Sequence, residues 1–140
     1  MSTLSTLQKV AKRATDEKQR QISEILAVMK QMEDRKAELT SKMESEHKSA
    51  MQAGDAFLLN QAGLFKEMAD AEIQDINEAA VDAEAILAER REELTELYAE
   101  QRRYEILMER KAEKERKTRA KKQQEALDEV AATMYSNNVT

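Results

Sequence analysis

The chain has 140 residues, no proline, no cysteine, two glycines and 4% aromatic residues, while 36% of its residues are charged. This balance excludes a disulfide scaffold, thiolate metal sites and an aromatic-rich globular core, and the abundance of Ala, Glu, Lys, Leu, Arg and Gln is that of a coiled coil or long helix. The formal net charge of −5 is unevenly spread: residues 1–50 hold ten basic and eight acidic groups, residues 65–100 hold three and twelve (net −9), and residues 101–122 hold ten and four (net +6).

The first predicted helix covers about residues 4–51. Its apolar seam runs from Leu4 and Leu7 through Ala11, Ala14, Lys18, Ile22 and Ile25 to Met43, in steps that mostly alternate between three and four, the spacing of core positions in a coiled coil. Two consecutive steps of four at Ala14, Lys18 and Ile22 read as a stutter that relaxes the supercoil. A bend is expected within about residues 52–63, where both glycines lie. Gly54 can end the first helix in a left-handed conformation and Asp55 can cap the next one; Asn60 with Gly63 is a second candidate break. The second predicted helix covers about residues 64–135, on a seam from Leu58, Ala62 and Phe65 to Tyr104 and Met108. The tail 136–140 is expected to fray.

The fold class is therefore all-α: two long helices in an antiparallel coiled-coil hairpin, with the second overhanging at the C-terminus, in a single domain over 1–140. With the bend near residue 57, Leu4 lies level with about residue 110 and the last ~25 residues extend beyond the first helix. The mildly basic first half then faces the acidic 65–100 stretch, which favours this pairing. The alternative is one unbroken helix that dimerises in parallel, because a glycine inside a helix costs only about 1 kcal/mol.

Nothing in the pattern points to catalysis. His47 is the one histidine, and neither a metal-ligand cluster nor a glycine-rich phosphate loop is present. No cofactor and no small-molecule substrate are expected, and the chain is read as a monomeric hairpin. There is no apolar run of the roughly 20 residues needed to span a bilayer, and the N-terminus lacks the basic start and apolar block of a signal peptide, so the expected location is the cytoplasm. Two features can serve binding. Phe57, Leu58, Leu59, Leu64 and Phe65 cluster at the bend, either closing the coil on itself or offering an apolar patch. The basic run Arg110–Lys122 is either a solvated helix face or a dock for an acidic protein surface, a nucleic acid backbone or an anionic membrane, although no aromatic interleaves it to stack bases and no bulky apolar face accompanies it for membrane insertion.

Tyr104-Glu-Ile-Leu-Met-Glu-Arg110, followed by Gln124-Glu-Ala-Leu-Asp-Glu-Val-Ala131, resembles the C-terminal half of the FliJ family of flagellar export proteins, which has YscO-type relatives in virulence secretion systems. The resemblance implies a non-enzymatic central stalk, similar in shape to the γ subunit of rotary ATPases, that binds and activates the hexameric flagellar export ATPase. It also implies contacts with the cytoplasmic domain of the export gate and with export chaperones, at the cytoplasmic face of the inner membrane. Carried onto this sequence, the ATPase-binding residues are Leu107, Arg110, Lys114, Arg116, Arg119, Gln124, Asp128 and Glu129, and the gate-binding residues near the tip are Leu58, Phe65, Ala69 and Ile76. The alternatives are a YscO-like stalk of a virulence system, a generic coiled-coil scaffold, or a nucleic-acid-associated rod using residues 102–122.

Overall fold

The computed structural model describes residues 3–139. Two helices account for nearly all of them: α1 (Thr3–Ala53), of 51 residues, and α2 (Ala56–Val139), of 84 residues. Such lengths follow from a sequence without proline and rich in strong helix formers. They pack as the antiparallel hairpin expected from the two seams.

The bend is tighter than the 52–63 expectation and consists of Gly54 and Asp55 alone. Gly54 has φ +62°, a left-handed conformation that costs an L-side chain energy but costs glycine nothing. Its N–H donates to the carbonyl of Ala50 at 3.1 Å and to that of Met51 at 3.3 Å, which satisfies two carbonyls at the end of α1. Asp55 then caps α2: its carboxylate accepts the Phe57 N–H at 2.8 Å, and its carbonyl accepts the Leu59 N–H at 3.0 Å. The second candidate break does not form, since Asn60 and Gly63 lie inside α2. With Gly54 and Asp55 supplying both the stop and the start, helix propensity carries the chain through Gly63. Of the tail expected to fray, residues 136–139 are helical, and Thr140 lies outside the described residues.

Contacts divide the chain into two compact units, one formed by Thr15–Glu96 and the other by Met1–Ala14 with Leu97–Thr140. In the Thr15–Glu96 unit the core is thin. Leu39 and Leu87 are its large buried side chains, joined by Ala50, Ala62 and Ala69. The alanines let the two helices approach closely next to the bend. Along α1 the inward side chains step by four and three without interruption from Ala11 through Thr15, Lys18, Ile22 and Ile25 to Ala50. The expected stutter is absent, because Thr15, at 4% exposure, takes the inward position in place of Ala14.

Two cross-helix ion pairs set the pairing of this unit. Lys18 pairs with Glu93, which also accepts from Arg90 at 3.1 Å. Arg35 grips Glu72 through two bonds of 2.8 and 3.2 Å. Lys18 occupies a seam position and is only 19% exposed, so its ammonium needs the Glu93 carboxylate in that register. In each pair the hydrogen bond from the basic partner holds the carboxyl, Glu93 or Glu72, below the usual carboxylate range.

In the other unit, Leu4, Gln8 and Ala11 turn inward from α1, while Leu97, Gln101, Tyr104 and Met108 are half-buried on α2. Leu7, placed on the seam by its apolarity, is 42% exposed, and Gln8 takes its place. The Tyr104 hydroxyl donates to Glu100 at 3.1 Å, a bond that pushes the tyrosine's pKa up. From Glu109 to Asn138 every side chain is exposed, so α2 continues here as a single helix with no partner from α1.

Candidate functional site

The single-helix part of α2 carries all but one of the residues singled out for ATPase binding. Leu107, 47% exposed, lies just before it; Arg110, Lys114, Arg116, Arg119, Gln124, Asp128 and Glu129 lie on it and are exposed. At about 100° of rotation per residue, Leu107, Arg110, Lys114, Gln124 and Asp128 share one sector roughly 100° wide, and Arg116 and Arg119 point to the opposite side. The residues therefore form no single patch. Binding that uses both sets requires a partner that surrounds the helix.

Local bonds explain part of this spacing. The Gln124 amide donates to the Asp128 carboxylate at 3.0 Å, one turn along. Arg116 donates to both oxygens of Glu113, at 3.0 and 2.6 Å, and this lowers the pKa of the Glu113 carboxyl. Arg110, Lys114 and Arg119 make no ion pair among the described residues and stand free for an anionic partner. Beyond them, Leu127, Val130 and Met134 are 64%, 55% and 60% exposed and fall on one stripe. The steps of three and four in this stripe are visible in the sequence, but no opposing seam on α1 reaches it to mark it as core.

The tip residues are differently placed. Leu58 is 43% and Phe57 65% exposed, whereas Leu59, on the next position round the helix, turns partly inward. Phe65 and Ile76 are half-buried. Ala69, at 1% exposure, is packed between the helices and is not a surface residue. The Nζ of Lys42, on α1, sits 4.9 Å from the centre of the Phe65 ring, a cation–π contact that covers part of it. Sequence alone does not show this contact, because it depends on the register between the helices.

No cluster of three or more His, Cys, Asp or Glu side chains able to hold a metal ion occurs among the described residues. None of the described helices is long and apolar enough to cross a membrane.

Two long helices that pack through a seam of three- and four-residue steps, with α2 exposed and strongly charged from Glu109 onward, define an all-α coiled-coil hairpin. Comparison with known families gives the particular kind: the family described as flagellar FliJ protein matches residues 1–140, the whole chain, and the chain belongs to that family. It is a component of flagellar protein export. No curated protein and no solved structure matches the chain.

Proposed function

We propose that this chain is the non-enzymatic central stalk of the flagellar export ATPase, binding the hexamer through its single C-terminal helix and raising its hydrolysis rate. The observation that carries the reading is that helix: charged and exposed on every side from Glu109 onward, in a chain that matches the flagellar family over its full length. A ring pore can contact a helix from all directions, which suits a residue set divided between opposite faces. Polar and charged contacts in such a pore allow rearrangement as the ring cycles, because no deep apolar socket has to be broken.

At the other end, Leu58, Phe65 and Ile76 make the contact with the cytoplasmic domain of the export gate, and Ala69 sets the helix spacing beneath them. Export chaperones are further partners. The protein works in the cytoplasm, at the export apparatus on the inner membrane, and its loss impairs flagellar assembly and motility.

The test is hydrolysis by the purified flagellar export ATPase of the same organism, titrated with this protein at low ionic strength. Stimulation is expected, and its absence together with absence of binding refutes the proposal. The combined substitution Arg110→Glu, Arg116→Glu and Arg119→Glu removes stimulation while helicity is retained. Arg110→Glu or Arg119→Glu alone has more effect than Arg116→Glu, since Arg116 is already engaged by Glu113. Phe65→Ala weakens binding to the export gate and leaves stimulation intact; the reverse outcome contradicts the division of labour between the two ends.

A further inference from the structure

The Thr15–Glu96 unit carries a surface feature outside the residues assigned above. An open groove of about 440 Å³ runs along one side of the helix pair, lined by Ile25 and Val28 of α1 and by Ala83 and Ile86 of α2. Val28 and Ile86 are 47% and 44% exposed, although both are large, branched and apolar. Gln21, Glu24 and Arg90 complete the lining. Arg90 is occupied by Glu93 at 3.1 Å and Glu89 at 3.6 Å.

The banks of the groove have a regular charge. On α2, Asp75, Asp82, Glu89 and Glu96 are exposed and recur every seven residues, one position outward from the row that holds Ile86. A seven-residue step keeps them on one line parallel to the groove. Asp75, Asp82 and Glu96 have no ion-pair partner among the described residues. On α1 the corresponding outer row holds Glu17, Glu24 and Glu38, again at multiples of seven. Arg20 bridges Glu17 and Glu24, and Arg35 lies 3.2 Å from Glu38. The uncompensated negative charge therefore lies mainly on the α2 bank.

The geometry points to this groove as a docking site for a basic amphipathic α-helix of another protein, which lies along the hairpin as a third helix with an apolar stripe on the floor and lysines or arginines against the Asp75–Glu96 bank. An extended strand would not match a line of charges that repeats every two helical turns, whereas a helix presents its flanking residues at that interval. A second copy of this chain is a poor occupant by charge. Its basic segment 110–122 offers only Ala112 and Ala120 as apolar residues, and its exposed stripe of Leu127, Val130 and Met134 is flanked by Glu125, Asp128 and Glu129.

The probe is a fluorescently labelled three-heptad peptide with leucines at the seam positions and lysines on both sides of them. Fluorescence anisotropy with the full chain compares it with the same peptide bearing glutamates in place of the lysines and with a scrambled lysine–leucine peptide. The lysine-flanked helix is expected to bind about tenfold or more tightly than either control, a difference of about 1.4 kcal/mol. Ile86→Glu, and separately the paired charge reversal Asp82→Lys with Glu96→Lys, each lower that affinity about tenfold at unchanged circular dichroism. Val81→Glu, on an exposed position away from the groove, leaves it unchanged. Equal binding of the scrambled peptide, or affinity unaffected by both groove variants, overturns the inference. So does sedimentation that finds a dimer which Ile86→Glu converts to a monomer, because a second copy then fills the groove.

Discussion

In the hairpin the two glycines respond to alanine in opposite directions. Gly54 holds φ +62° and no atom lies within 4 Å of where a Cβ would stand. The cost of Gly54→Ala is therefore one of backbone conformation, roughly 1–2 kcal/mol for an L-residue in the left-handed region. The stiffer unfolded chain returns about 0.4–1 kcal/mol of it, which leaves a net loss of about 1 kcal/mol. Gly63 lies within α2 and its Cβ position is also open. Gly63→Ala therefore gains the full helix-propensity difference, about 0.8–1 kcal/mol. Near the melting point each change corresponds to about 3–4 °C in a chain of this size, down for Gly54→Ala and up for Gly63→Ala. Far-ultraviolet circular dichroism during thermal and urea unfolding measures both. In one unbroken helix position 54 is helical too and both substitutions stabilise, so a rise in stability for Gly54→Ala refutes the hairpin.

Leu39→Ala removes the more deeply buried of the two leucines in the core of the described residues, Leu39 being 3% exposed and Leu87 7%. It is expected to cost about 2–3 kcal/mol, the lower part of the usual leucine-to-alanine range, because a two-helix interface can close on the space left behind. Val81→Ala, at a position 66% exposed, changes stability by less than about 0.5 kcal/mol; similar losses from both would contradict the seam. The Lys18–Glu93 pair gives a pH signature. The hydrogen bond from Lys18, reinforced by Arg90, holds the Glu93 carboxyl below the ordinary value of 4.5. Its stabilising contribution is thus complete above that value and is lost as pH falls through the lower folded-state value. The stability gap between wild type and Glu93→Gln should be widest near neutrality and close in acid; a gap that does not change with pH contradicts the pairing.

Much of the architecture is legible without coordinates because a coiled coil writes its core into a period of three and four. The seam through Ile22, Ile25, Met29, Leu39, Ala69, Leu87 and Leu97 follows directly from apolar spacing, and Gly54-Asp55 announces the bend through its own conformational chemistry. Apolarity misleads where the alternating period and the hydrophobic residues diverge. Leu7 and Ala14 look like core, yet continuing the steps back from Ile22 and Lys18 selects Thr15, Ala11 and Gln8, and these positions turn inward. Period outranks hydropathy there because rigid helices cannot re-aim single residues. At the tip, Ala69 belongs to the interface for the same reason.

Features that depend on the register between the two helices could not be read from either one alone. Lys42 over Phe65, Arg35 against Glu72 and the groove between Val28 and Ile86 each join residues far apart in sequence, and a bend displaced by a few residues would have paired them differently. The solitary helix follows from the unequal lengths of the two seams. The division of its charged residues between opposite faces emerges only when the 3.6-residue turn is applied to the whole set.

The most direct test of the stalk account is to end the chain at Met108, which leaves the residues of both helices that pack on each other and deletes the solitary helix. Hydrolysis by the flagellar export ATPase is then measured against increasing amounts of the shortened and the full chain. The account predicts that the shortened hairpin stays helical, still binds the export gate and leaves hydrolysis at its basal rate, while the full chain stimulates it. Equal stimulation by both would contradict the account.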